Sequence, residues 1–123
     1  MSRKAARYRL VAHPDVPDDL ASLSTYGADA VVAARLTLDD LAHGRVTGKR
    51  LGERQVTGDL TGLTSVKFDV QNSPTRRFRL VYAEIDTNTR GVLAIGTRKE
   101  HAIYRLAVER MRLREEERSH GNK

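Results

Sequence analysis

Arg79, Arg98, Tyr104 and Lys67 carry the chemistry this sequence can offer. The two arginines lie within or at the end of the most strand-like segments of "RRFRLVYAEIDTNTRGVLAIGTRKEHAIY" (76–104), and Tyr104 closes that stretch. A charge laid against a sheet must be solvated or paired, so these arginines call for an anion or a counter-ion. Arginine suits phosphate, because its planar fork donates two parallel hydrogen bonds and keeps its charge. An RNA phosphodiester passing to a pentacoordinate transition state gains negative charge on its equatorial oxygens. Fixed cations placed there lower the barrier. A phenol whose pKa is drawn down from about 10 by neighbouring cations can take the proton of a 2′-hydroxyl. Each residue also has a plainer role open to it. Arg79 suits an edge-strand charge that blocks aggregation, Arg98 a linker charge, and Tyr104 a core position on a helix stripe.

Other chemistries find less support. His13, His43, His101 and His120 include no two at helical ligand spacing, so no metal site is expected. His101 stays an uncertain member of the site because it lies three residues before Tyr104. There is no Gly-x-Ser-x-Gly elbow for a serine nucleophile. "GKRLGER" has no hydroxyl after its Gly-Lys pair and follows no apolar strand, so it is not a nucleotide loop. No cofactor is expected.

The elements that must position these residues follow from patterning. The chain has 123 residues, which argues for one domain over 1–123, with 1–6 and 118–123 frayed. It has no cysteine, no apolar leader and no apolar run of membrane length, so a cytoplasmic protein is expected. The net charge of +6 favours polyanionic partners, yet residues 14–43 hold six aspartates against one arginine, a local −5. That segregation favours one face for an anion and another turned away from it.

Residues 7–12 read as a strand, and a proline-containing turn leads to two helices, or one kinked near 25–27, stopped by Gly44. From Gly44 to Gly62 recurring glycines mix with Lys49, Arg50 and Arg54, as in a basic, flexible connector whose cations can contact phosphates. "TSVKFDV" alternates, with Val66, Phe68 and Val70 on one face and Lys67 and Asp69 on the other. "RRFRLVYAEID" follows a Ser73–Pro74 turn and is apolar on both faces past Arg79, as at a sheet centre; "TNTRG", with Arg90, makes the next turn, and "GVLAIGT" is the third strand. A helix over "KEHAIYRLAVERMRLREEER" closes the chain. The order is β-α-α-β-β-β-α: an α+β fold with a small antiparallel-rich sheet and helices mainly on one face.

"VKFDV", "FRLVYAEID" and "GVLAIGTRKEHAIY" together resemble the C-terminal half of toxins of the RelE/ParE superfamily, on its RelE-like side. "YRLVAHPDVPDDLASL" resembles the family's first strand and helix entry, and the likeness is densest over 66–111. The resemblance implies a type II toxin silenced by a cognate antitoxin. RelE-like members cut mRNA in the ribosomal A site without metal, leaving a 2′,3′-cyclic phosphate and a 5′-hydroxyl. By position, Arg79 and Arg98 match the family's phosphate-stabilising arginines. Tyr104 matches the tyrosine that activates the 2′-hydroxyl or stacks on a base, and Lys67 matches the first lysine of a Lys-x-Lys pair. Asp69 stands where the second lysine would be, and Arg76 and Arg77 in the longer following turn are the candidates to replace its charge. Two alternatives remain: a ParE-like inhibitor of gyrase, and an RNA-binding relative without catalysis.

Overall fold

A computed structural model describes residues 7–50, 53–54, 58–59, 62–68, 78–97 and 103–111. Strand β1 (Arg9–Ala12) leads through a turn to helix α1 (Val16–Ser22), which has Pro17 at its start and Asp18 and Asp19 in its first turn. Proline costs nothing there, and the carboxylates complement the positive end of the helix dipole. A 3-10 turn (Leu23–Tyr26) separates α1 from helix α2 (Ala28–Ala42). The break expected near 25–27 is thus complete, and Gly27 makes it with φ +105, a conformation side chains resist.

Strands β2 (Lys49–Arg50), β3 (Glu53–Arg54), β4 (Gly58–Asp59), β5 (Leu63–Phe68), β6 (Phe78–Asp86) and β7 (Thr89–Thr97) follow, and residues 103–111 are helical (α3). The main sheet has the order β1-β7-β6-β5-β2. Strands β5, β6 and β7 form the expected antiparallel meander, and β1 adds to β7 in parallel. Strand β6 lies between β5 and β7, which explains why it is apolar on both faces.

The connector differs from the expectation. It carries three short strands: β2 zips onto β5, with Lys49 opposite Ser65 and Arg50 opposite Thr64, and β3 and β4 pair as a separate ribbon. Gly48 permits the approach of β2, since a Cβ there would collide with the Ser65 carbonyl. Two charged residues show no alternation, so main-chain pairing alone holds β2, and side-chain patterning is silent about it.

Alternation divides the core in two. Val66, Phe68, Leu80, Tyr82 and Ile95 face α1, the 3-10 turn and α2, where Val16, Leu23, Ala30, Ala34 and Leu41 meet them. On the other face Leu63, Val81 and Ala94 meet Ile103, Tyr104 and Ala107 of α3. Two of the three helices therefore share one face and the third covers part of the other. Among the described residues no helix is long and apolar enough to cross a membrane.

Arg90 belongs to the structure rather than to a turn. Strand β7 begins at Thr89, and the Arg90 side chain is only 3% exposed. Its Nη1 donates to the carbonyls of Leu41 (2.9 Å) and Val46 (3.4 Å), and its guanidinium lies 3.7 Å over the Tyr8 ring. The last carbonyls of a helix have no partner within it and carry its negative end, so a cation completes α2. Arg90→Met is expected to lose about 2–3 kcal/mol, the sum of a charged hydrogen bond and a cation–π contact. A urea melt checks this: the midpoint falls and the slope stays constant.

Candidate functional site

The ends of β5 and β6 carry the site. Lys67 pairs directly with Arg79, and Arg79 with Gly96, so one cross-strand row runs Lys67, Arg79, Gly96. Alternation puts this row on the α3 face, because Phe68 and Phe78 point the other way into the α1–α2 core. Those two rings stack at 5.4 Å and brace the strand ends from beneath. Lys67 is exposed, whereas Arg79 is 3% exposed and donates from Nη1 to the Phe78 carbonyl at 2.9 Å. Directly opposed residues hold their Cβ atoms about 5 Å apart, so two cations share one patch.

Tyr104 lies on the same face. It is 3% exposed, and its hydroxyl is 3.5 Å from Ser65 Oγ. Ser65 precedes Lys67 by one full alternation, about 7 Å along β5, which places the phenol beside the cation row. Lys49 joins them, since its partner across β2–β5 is Ser65 and opposed residues share a face. Arg50 pairs with Thr64 and so takes the opposite face. Arg54 is in the backbone of the separate β3–β4 ribbon. Arg98, His101, Asp69, Arg76 and Arg77 lie outside the described residues; Arg98 follows Thr97, the last residue of β7.

The structure therefore brings Lys67, Arg79, Tyr104 and Lys49 to one face. Arg79 is not an edge charge, because β6 is central. Ser65 was missed in the sequence, although the alternation that placed Lys67 also places Ser65 two residues before it. The acidic end of α2 lies across the sheet from this patch, with Asp39 and Asp40 tied to Arg45 at 2.6 and 2.8 Å. Among the described residues no three His, Cys, Asp or Glu side chains gather as a metal site.

A buried ion pair fixes α3, and with it Tyr104. Strand β1 accompanies β7 only as far as Val92. Beyond that point Asp19 accepts from the Ile95 amide (3.1 Å), while Arg110 Nη1 donates to the Leu93 carbonyl (2.9 Å). Arg110 also donates to both Asp19 oxygens, at 2.6 and 3.0 Å. Hydrogen bonding from Asp19 raises the Arg110 pKa, against the opposing effect of burial. The pair substitutes for a missing strand and ties α1 to α3 around the sheet edge.

This architecture has a counterpart among solved structures. A double arginine-to-alanine mutant of the E. coli toxin RelE in the free state aligns with a TM-score of 0.51 and 18% identity. The alignment covers 85% of this chain and 97% of that one. The chain has a RelE-like fold. No protein-family model matches the sequence, and no curated protein matches it either. At that identity the RelE likeness speaks for the fold, and the site rests on the registers above.

Proposed function

We propose that the chain is the toxin of a type II toxin–antitoxin system, a metal-independent endoribonuclease that cuts mRNA in the ribosomal A site in the cytoplasm. The observation that carries this is the convergence of Lys67, Arg79 and Tyr104 on one face of a RelE-like sheet. Lys67 and Arg79, extended by Arg98, hold the scissile phosphate and offset the charge on its equatorial oxygens. Tyr104 takes the 2′-hydroxyl proton. The 2′-oxygen attacks phosphorus, the bond to the 5′-oxygen breaks and that oxygen takes a proton from water, leaving a 2′,3′-cyclic phosphate and a 5′-hydroxyl. Lys49 lengthens the cationic track. Arg76 and Arg77 supply the charge that Asp69 does not, and a cognate antitoxin covers the patch when the toxin is silent.

Primer extension on mRNA held in purified 70S ribosomes tests the proposal. The wild type is expected to cut within the A-site codon, and an Arg98→Ala, Tyr104→Ala variant to leave the message whole. Tyr104→Phe refines the result, because it keeps the buried ring and removes only the hydroxyl. Its cutting rate is expected to fall about 10²-fold or more, the scale of a general base, with an unchanged melting temperature. Growth arrest on expression without any cuts overturns the nuclease and points to gyrase.

Burial of Tyr104 favours a second reading, an RNA-binding relative without catalysis. Its signature is RNA affinity that falls steeply with salt and no cleavage.

A further inference from the structure

Ser65 is out of character for its place. Strand β5 sends Leu63, Ser65 and Lys67 to the α3 face, so the line passes from core to cation in two steps. Across the sheet the Ser65 row continues through Val81 and Ala94, both fully buried, and on its other side it meets Lys49. Ser65 is itself 4% exposed, where valine would bury more apolar surface. A buried hydroxyl costs free energy unless it has a partner. Among the described residues the partner of Ser65 Oγ is the Tyr104 hydroxyl, at 3.5 Å. That distance is at the long limit for two hydroxyls, and such contacts in a free enzyme commonly shorten when substrate is bound.

What Ser65 offers changes with the charge on its neighbour. While Tyr104 is a neutral phenol, either oxygen can donate to the other. A phenolate only accepts, so the serine hydroxyl rotates to donate to it. A hydrogen bond given to the charged form favours that form, whereas the burial of Tyr104, 3% exposed, works against it. Among the described residues, the charged groups that the sheet places on this face are cations: Lys49 on β2, Lys67 on β5 and Arg79 on β6. On α3, Arg105 and Glu109 are exposed and Arg110 is committed to Asp19. The cations favour the phenolate through space, and Ser65 acts in contact.

We propose that Ser65 is a positioning residue of the Tyr104 base: its hydroxyl holds the phenol oxygen beside the Lys67–Arg79 row and donates to it once that oxygen has lost its proton. The inference rests on the nuclease reading above, with Tyr104 as the base. The phenol proton leaves to solvent, the phenolate then takes the proton of the 2′-hydroxyl, and Ser65 keeps its own proton throughout.

Two readouts test this. The first is alkaline titration of phenolate absorbance without RNA, each protein being compared with its own Tyr104→Phe version to isolate Tyr104. Ser65→Ala is expected to raise the Tyr104 midpoint by about one pH unit, the scale of a hydrogen bond to a charged group. The second is primer extension on mRNA held in ribosomes. At neutral pH Ser65→Ala should cut about tenfold more slowly, with the rise of rate with pH displaced upward by the same amount. Ser65→Thr and Ser65→Val have nearly the same shape and differ in the hydroxyl, so threonine should restore both readouts and valine should not. In a Tyr104→Phe background Ser65→Ala should cost nothing further. A Tyr104 midpoint that Ser65→Ala and Ser65→Val leave in place, or a cleavage loss that persists in the Tyr104→Phe background, overturns the positioning role and leaves the nuclease standing. A wild type that cuts no message removes the nuclease and this role together.

Discussion

Asp19→Ala is expected to destabilise the chain by about 3–5 kcal/mol, the cost of leaving a buried charge without its partner. The Asp19 and Arg110 side chains are 11% and 9% exposed, so water replaces little of what is lost. The substitution also orphans the Ile95 amide, which donates to Asp19 in the native chain. Asp19→Asn keeps an acceptor and gives up only the charge, so a smaller loss is expected from it. Combining Asp19→Ala with Arg110→Met should recover part of the deficit, because the second change removes the stranded cation. Equilibrium unfolding in urea measures all three. The sign of the pH effect follows from Arg110, whose pKa Asp19 raises. A raised pKa means that the Arg110 contribution is complete at neutral pH and is lost as strong alkali removes its proton. A loss below 1 kcal/mol for Asp19→Ala would show that the edge of β7 holds without the pair.

The second large effect concerns activity. Arg79→Lys keeps a positive charge but not the planar fork, and A-site cleavage is expected to fall about 10²–10³-fold. Arg79→Met should reduce it at least as far. Stability is where the two roles of a buried arginine part. Replacing both members of a buried ion pair by apolar residues is often neutral, but removing one group alone strands the groups it served. Arg79 is 3% exposed on a central strand and donates to the Phe78 carbonyl, so Arg79→Met is expected to lower the melting temperature and abolish cleavage, whereas Arg79→Lys abolishes most cleavage at a smaller loss of stability. Intact cleavage with a lowered melting temperature would assign Arg79 to the scaffold instead.

Much of the site was legible because strand alternation is local. The pattern around Lys67 and Phe68 separated cation from core, and the double-sided apolar run after Arg79 marked a central strand. Three features depended on partners distant in sequence and left no local trace. Arg90 read as part of a turn, since nothing nearby reveals that the end of α2 lies above it. Asp19 and Arg110 are ordinary charges on two helices until the fold brings them to one strand edge. Lys49 sat in a glycine-rich connector, and only its pairing with Ser65 assigns it a face. The alternatives weighed for Arg79 and Tyr104 had the same origin. An arginine at a strand start looks alike on an edge or a central strand, and a tyrosine on a helix stripe looks alike as core or as reagent.

The parallel pairing of β1 with β7 has a consequence for how the molecule comes into being. Arg9 meets Thr89 about eighty residues later in the chain, whereas β5, β6 and β7 meet their neighbours through nearby connections. Contacts so distant in sequence close late, because the entropy of the long loop is lost before the pairing repays it. The meander can therefore assemble first, with β1 docking last. A nascent chain cannot complete its sheet until β7 has left the exit tunnel. Tyr104 and α3 emerge later still, so the face that carries Lys67, Arg79 and Tyr104 forms only after both β7 and α3 have emerged.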